Sequence, residues 1–215
     1  MRRIALLIGF SLLTACASSP PPPAWQANAR SALDYSTSAY LSGDSRLAER
    51  DFIRARAEIA RTGRLDLLAR VELVRCAARV ASLEFDDCPG YQALAQDAGP
   101  AERAYAELLA GRWTQLDSAQ LPKQYHKLLT APTDPTTLAE IADPVSRMIA
   151  AGLLFRYGQV TPQGISLATE TASAEGWRRS LLAWLGVQAQ RAKAAGDAEA
   201  ASRIERRIKV VTGTP

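Results

Sequence analysis

Apolar residues recur every three or four positions along most of the chain, which is the period of an α-helix and not of a β-strand. From residue 24 onward, no segment alternates apolar and polar residues with the β-branched and aromatic enrichment that strands show. Gly43 and Gly63 end the first two apolar stripes, as glycine commonly does after a helix. The pattern predicts an all-α domain of about nine helices with short connections. The first three stripes are Trp25, Ala29, Ala32, Ser36 and Tyr40, then Ala48, Phe52, Ala55 and Ile59, then Leu67, Val71, Val74, Ala78 and Ala81.

Prolines, not glycines, separate the predicted helices in the second half of the chain. Three pairs place a capping residue directly before proline, the arrangement favoured at a helix N-terminus. The region 85–135 is predicted to hold only short helices, as a hinge or a packing elaboration. One long helix is predicted over 174–195 and a last one after residue 197. The capping pairs are Asp134-Pro135, Asp143-Pro144 and Thr161-Pro162, and further short helices are predicted to start at Pro89, Pro100 and Pro122.

The amino terminus has the pattern of a secretory signal. Arg2 and Arg3 precede about ten apolar or small residues that end at Leu13. A helix of this length rises about 1.5 Å per residue and is too short to cross a hydrocarbon layer of about 30 Å. We therefore expect residues 1–15 to direct secretion and then to be removed.

The end of this segment carries a short motif with a known meaning. Residues 13–16 read Leu-Thr-Ala-Cys, which resembles the lipobox of bacterial lipoproteins. The resemblance implies a diacylglycerol on the sulfur of Cys16, cleavage before that residue, and acylation of the new amino group by a fatty acid such as palmitate. Ala17 follows, where aspartate is associated with retention at the inner membrane. The resemblance therefore implies an anchor in the outer membrane, on its periplasmic face.

Two serines and four prolines follow the expected anchor, at residues 18–23. Such a segment favours the polyproline II conformation, a semi-rigid spacer of about 3.1 Å per residue. We interpret residues 16–23 as a lipidated tether and residues 24–215 as a single helical domain. The mature chain would keep 24 basic and 22 acidic residues. So small a net charge, spread along the chain, gives no reason to expect a nucleic-acid partner.

Part of the helical pattern resembles a tetratricopeptide repeat. Gly43, Ala48, Phe52 and Ala55 match the turn and second helix of such a repeat, and a weaker echo follows Gly196. No period of about 34 residues connects the two. The resemblance implies a short TPR-like solenoid. The equally favoured alternative is a bundle of ordinary antiparallel helical hairpins.

Two cysteines remain once Cys16 is assigned to the anchor. Cys76 and Cys88 are twelve residues apart, and cysteines in an oxidising periplasm commonly pair. A bridge requires the chain to turn back soon after the helix that carries Cys76, so that the two Cα atoms come within about 7 Å. The alternatives are a disulfide or two separate buried thiols. A Cys-x-x-Cys motif is absent, which argues against a redox enzyme.

Other candidate chemistry is sparse. His126 is the one histidine, and no nucleophile motif or metal-binding spacing accompanies it. We therefore expect neither a metal, a cofactor, a small-molecule substrate nor a catalytic site. Arg46, Arg50 and Arg54 recur on one helix face, which is either solvated or suited to an anionic lipid or partner. Tryptophans fit core stripes, and any that is exposed is a candidate for partner binding: Trp113, Trp177 and Trp184.

The expected function follows from the anchor and the helical body together. A permanent anchor, a spacer and a set of helical hairpins need only a groove to recruit a partner. We expect a non-enzymatic outer-membrane lipoprotein that acts as an adaptor or scaffold for an envelope protein or assembly machinery. The alternatives are a cell-wall enzyme such as a peptidoglycan hydrolase, which would need paired carboxylates or a polarised His126, and an accessory envelope-stress lipoprotein.

Overall fold

The computed structural model describes residues 23–113 and 116–213, and within these ranges the protein is all-helical, as predicted. The predicted secretory signal, Cys16 and most of the tether lie outside the described residues. The described part contains eleven α-helices, more than the nine predicted, because three of them are single turns of four or five residues.

The helices are numbered α1 to α11 in chain order. They are α1 (Ala24–Ser42), α2 (Ser45–Ala60), α3 (Leu65–Ala81), α4 (Pro89–Gln92), α5 (Pro100–Ala110), α6 (His126–Thr130), α7 (Thr136–Ala139), α8 (Pro144–Arg156), α9 (Pro162–Ala174), α10 (Arg178–Ala194) and α11 (Ala198–Thr212). Three 3₁₀ turns lie between them, at Ala95–Asp97, Ser118–Gln120 and Lys123–Tyr125.

Helices α1 and α2 form a hairpin over the residues for which the sequence predicted a TPR-like turn. Gly43 has a φ of 94°, a left-handed conformation that glycine adopts without steric cost. Asp44 then caps α2, because its carboxylate accepts a hydrogen bond from the amide of Leu47 at 2.9 Å. Phe52 and Ala55 are buried, so the positions that carry the resemblance do pack between helices.

Helix α3 is the centre of the domain. It contacts α1, α2, α5 and α8, and several of its side chains, such as Leu73 and Val80, are almost fully buried. Helix α8 packs closely against it at Gly152: a Cβ atom built there would lie 2.2 Å from the backbone oxygen of Val80. Glycine is required at this crossing, since any side chain would collide with the backbone of α3.

The proline-based helix starts are confirmed for the longer helices. Asp143 and Thr161 cap α8 and α9 through side-chain hydrogen bonds, and proline is the first residue of each. Pro100 likewise begins α5, without a side-chain cap. Asp134 also accepts a bond from the amide of Thr136, so α7 begins one residue later than the pattern indicates.

One predicted helix boundary was wrong. A continuous helix was expected over 174–195, but α9 ends at Ala174 and α10 begins at Arg178. Gly176 lies between them with a φ of 69°, and this left-handed residue reverses the chain. Trp177 therefore precedes α10 and is not a residue of its stripe.

Helices α10 and α11 form a second hairpin, joined as predicted by Gly196 and Asp197. The carboxylate of Asp197 accepts a bond from the amide of Ala200 at 2.9 Å. Ala201 is buried, whereas most of α11 is exposed. In the part of the chain that the structure describes, no helix is both long enough and apolar enough to cross a bilayer.

Candidate protein-binding groove

An open groove of about 840 Å³ lies over α3, between α1 on one side and α5 and α8 on the other. Its floor is largely apolar. The side chains of Leu73 and Ile149 are buried in it, and Val74 and Val145 are partly exposed. Most ligand sites share this combination of concavity and apolar lining with a few polar groups.

Two tyrosines are among the polar side chains that line the groove. The rings of Tyr105 and Tyr125 lie 5.9 Å apart, centroid to centroid, and Tyr125 also interacts with Ser146. Burial raises the pKa of both phenols, that of Tyr105 well above its usual range. Both hydroxyls therefore stay protonated at neutral pH, as neutral donors and acceptors of hydrogen bonds.

Of the five charged side chains that line the groove, Arg70, Glu102 and Asp143 have partners within the protein, whereas Arg30 and Asp34 on α1 are exposed. Glu102 is 6% exposed, and its carboxylate lies 2.5 Å from the guanidinium of Arg70. Asp143, on the α8 side, accepts the amide of Ser146 at 2.7 Å. A buried carboxylate that is paired in this way is neutralised. The groove is thus better suited to an apolar segment than to a highly charged ligand.

The tryptophans predicted as partner-binding candidates differ in their placement. Trp184 is fully buried and lies in the core. Trp113 is half-buried, with its indole N–H donating to the carbonyl of Leu108 at 2.9 Å. Trp177 is 6% exposed and borders the groove. Of the three, only Trp177 belongs to this site.

The predicted disulfide is present. Cys76 and Cys88 are bonded, with their Cα atoms 5.6 Å apart, because the chain turns back after α3 ends. The carboxylate of Asp86 accepts a hydrogen bond from the amide of Cys88 at 2.9 Å and forms an ion pair with Arg79. Cys76, Asp86 and Cys88 are grouped closely enough to hold a metal ion. In the disulfide-bonded form, however, the sulfurs are bonded to each other.

His126 makes a local structural contact. Its Nε2 atom lies 3.1 Å from the carbonyl oxygen of Leu121, which fastens α6 to the segment before it. The most buried carboxylates of the described residues, on Asp51 and Glu102, each lie beside arginine. His126, Asp51 and Glu102 therefore each have a structural partner within the protein.

A second pocket, of about 430 Å³, lies between α1, α2 and the start of α10. The hydroxyl of Tyr40 donates to the carboxylate of Glu84 at 2.6 Å, and the guanidinium of Arg179 stacks over the Tyr40 ring at 4.0 Å from its centroid. Partial burial, and then the bond to Glu84, raises the pKa of Tyr40 to about 12. This polar network links the two helical hairpins.

The raised pKa of Tyr40 predicts a loss of stability at alkaline pH. The unfolded chain releases the phenolic proton near pH 10.0, whereas the folded protein holds it to about pH 12. The free energy of unfolding should therefore fall across this window, by less than about 3 kcal/mol at this half-buried site. Chemical unfolding of the protein and of Tyr40→Phe at about pH 9 and about pH 11 measures it. The fall should be smaller in the variant, and equal falls would refute the assignment.

The comparisons with known proteins found no match: no protein-family model, no curated protein and no solved structure matches the chain.

Proposed function

We propose that this protein is a lipoprotein of the outer membrane, anchored through Cys16 on the periplasmic face, and that its helical domain is a non-enzymatic adaptor for another envelope protein. The groove over α3 is the observation that carries the adaptor role. Its apolar floor suits a segment of a partner that is itself largely apolar. The lipobox-like residues 13–16 support the anchor.

The groove supports protein binding better than catalysis. Its floor residues Val74 and Val145 leave apolar surface accessible, which a peptide segment would cover with a favourable loss of water contact. Its buried carboxylate, Glu102, is held by Arg70. Hydrolysis of the glycan strands of the cell wall ordinarily uses a pair of carboxyl groups across the scissile bond, and the carboxylate on the α8 side, Asp143, is engaged as a helix cap.

The anchor is tested by changing Cys16 to serine. We expect the unchanged protein to incorporate labelled palmitate and to sediment with outer membranes. The Cys16→Ser variant should carry no palmitate, because it lacks the sulfur on which lipidation begins. Incorporation of palmitate by the variant, or an unlipidated parent protein, would contradict the proposed anchor.

The adaptor role is tested with a photocrosslinking amino acid in living cells. Gln124 is exposed at the groove and Tyr35 is exposed outside it, so the two positions form a matched pair. We expect one discrete protein adduct from position 124 and none from position 35. Val145→Glu should reduce that adduct about tenfold by placing a charge on the apolar floor, whereas Val210→Glu, on α11, should not. Equal adducts from both positions would count against the groove.

A further inference from the structure

The solvent-facing side of α2 combines arginines with exposed apolar side chains. We call this surface the α2 outer face. Its residues recur at helical spacing, so they lie on one side of the helix, and each of them is exposed. They are Arg46, Arg50, Ile53, Arg54, Ala57, Ala60 and, directly after the helix, Arg61.

The carboxylates of α2 lie off this face. Asp51 is buried on the inner side of the helix, 3.2 Å from Arg50 and 3.7 Å from Arg54. Glu49 is directed sideways to Arg75, at 2.8 Å. Glu58 is largely buried and forms an ion pair with Arg61, whose side chain stays 66% exposed. Within the described span of α2, the outer face therefore presents positive charge to solvent. Its arginine side chains keep more than half of their surface exposed even where they approach Asp51.

Ile53 lies in the middle of these arginines and is 57% exposed. Its neighbours on the same face, Ala57 and Ala60, add a small apolar surface. Cationic side chains around an exposed aliphatic one are typical of helices that lie at the bilayer interface, where the charges meet anionic headgroups and the apolar groups enter the acyl boundary.

The position of α2 in the fold favours a membrane. Trp25, at the start of α1, packs in the same apolar cluster as Ile59, at the end of α2. The end of α2 therefore lies beside the point where the chain enters the domain. Pro23 lies seven positions after Cys16, a length that spans at most about 25 Å when fully extended. An anchor at Cys16 would hold this end of the domain close to the bilayer.

We propose that the α2 outer face is a second membrane contact, which lies against anionic phospholipid headgroups and orients the anchored domain. This inference rests on the proposed lipid anchor. A lipid chain combined with a basic patch holds a protein to a membrane more firmly than either alone. Among the described residues, the groove over α3 is lined by none from α2, so the groove remains available to a partner while α2 contacts the membrane.

The test uses the lipidated full-length protein, reconstituted into vesicles, with an environment-sensitive dye on a cysteine introduced at position 53. Retention on neutral phosphatidylcholine vesicles reports the anchor alone. Vesicles with about a third phosphatidylglycerol add the anionic surface. We expect a blue shift of the dye only on the anionic vesicles, and we expect high salt to reverse it. The same dye at position 210 on α11 is the control and should show no shift.

Charge removal then identifies the arginines responsible. Arg46→Gln with Arg61→Gln leaves the partners of buried Asp51 in place, although it removes the ion-pair partner of Glu58. Loss of these two cations should lower the membrane-contacting fraction about tenfold. The matched Arg206→Gln, Arg207→Gln variant of α11 should leave it unchanged. Failure to stay on neutral vesicles would refute the anchor. Retention without a shift at position 53, or a shift that appears only when an envelope protein is added, would overturn the lipid contact.

Discussion

Replacing Gly152 with alanine is expected to lower the free energy of unfolding by about 3 kcal/mol. The added Cβ would lie 2.2 Å from the backbone oxygen of Val80 and 2.9 Å from its carbonyl carbon. Because the obstacle is backbone, no side-chain rotation can relieve the overlap. Helices α3 and α8 must separate instead, and this loosens the packing around the centre of the domain. Chemical denaturation monitored by circular dichroism measures the change.

Gly186 provides the matched control for this substitution. It lies within α10, and a Cβ atom there would meet nothing within 4 Å. Gly186→Ala should therefore raise the free energy of unfolding by about 0.5 to 1 kcal/mol, through the higher helix propensity of alanine. Opposite signs for the two substitutions would confirm that α3 and α8 touch at Gly152. A neutral or stabilising Gly152→Ala would contradict the crossing.

The helices were largely predictable because their signals are local. Apolar stripes, caps and prolines lie within a few residues of the boundaries that they set, as at Asp143 and Thr161. At Gly43 and at Gly196, aspartate follows the glycine and caps the next helix. Such pairs combine the end of one helix with the start of the next, so two independent signals agree.

The boundary at Gly176 was missed for a physical reason. Here the residue that follows glycine is Trp177, which has no capping side chain, and α10 begins without a side-chain hydrogen bond. In the sequence, Trp177 is also spaced as if it continued the apolar pattern of Leu181 and Trp184, although it lies before α10. A lone glycine inside an apolar pattern is compatible with a continuous helix, and only the reversal of the chain distinguishes the two.

The groove was not predictable from the sequence. Tyr105, Val145 and Val74 come from three helices that are distant in the chain, and none belongs to a motif. These three residues line one groove only because α5 and α8 pack beside α3. The tryptophans were predicted as partner-binding candidates instead, because they are large and rare, but Trp184 is buried in the core. In contrast, the disulfide was predictable, because its loop is short and its two cysteines had no other partner.

Removing that disulfide is the second change with a large expected effect. Replacing both Cys76 and Cys88 with serine should lower the free energy of unfolding by about 3 kcal/mol, because an unfolded chain without the twelve-residue link gains conformational entropy. We also expect the backbone around position 88 to become less ordered in this variant. Cys88 has a φ of 51°, a conformation that is unfavourable for a residue with a side chain. The bridge and the carboxylate of Asp86 hold it there.

Reductant supplies the control for this prediction. The unchanged protein should lose the same stability when it is unfolded in the presence of a thiol reductant, whereas the double serine variant should be insensitive to it. Agreement between reduced protein and variant would assign the whole effect to the bond and none to the serines. If the unchanged protein were equally stable with and without reductant, the cysteines would not be bridged in solution. The segment that connects α3 to α5 would then be held by the contacts of Asp86 with Arg79 and with the Cys88 amide, and by the burial of Tyr91 in the core.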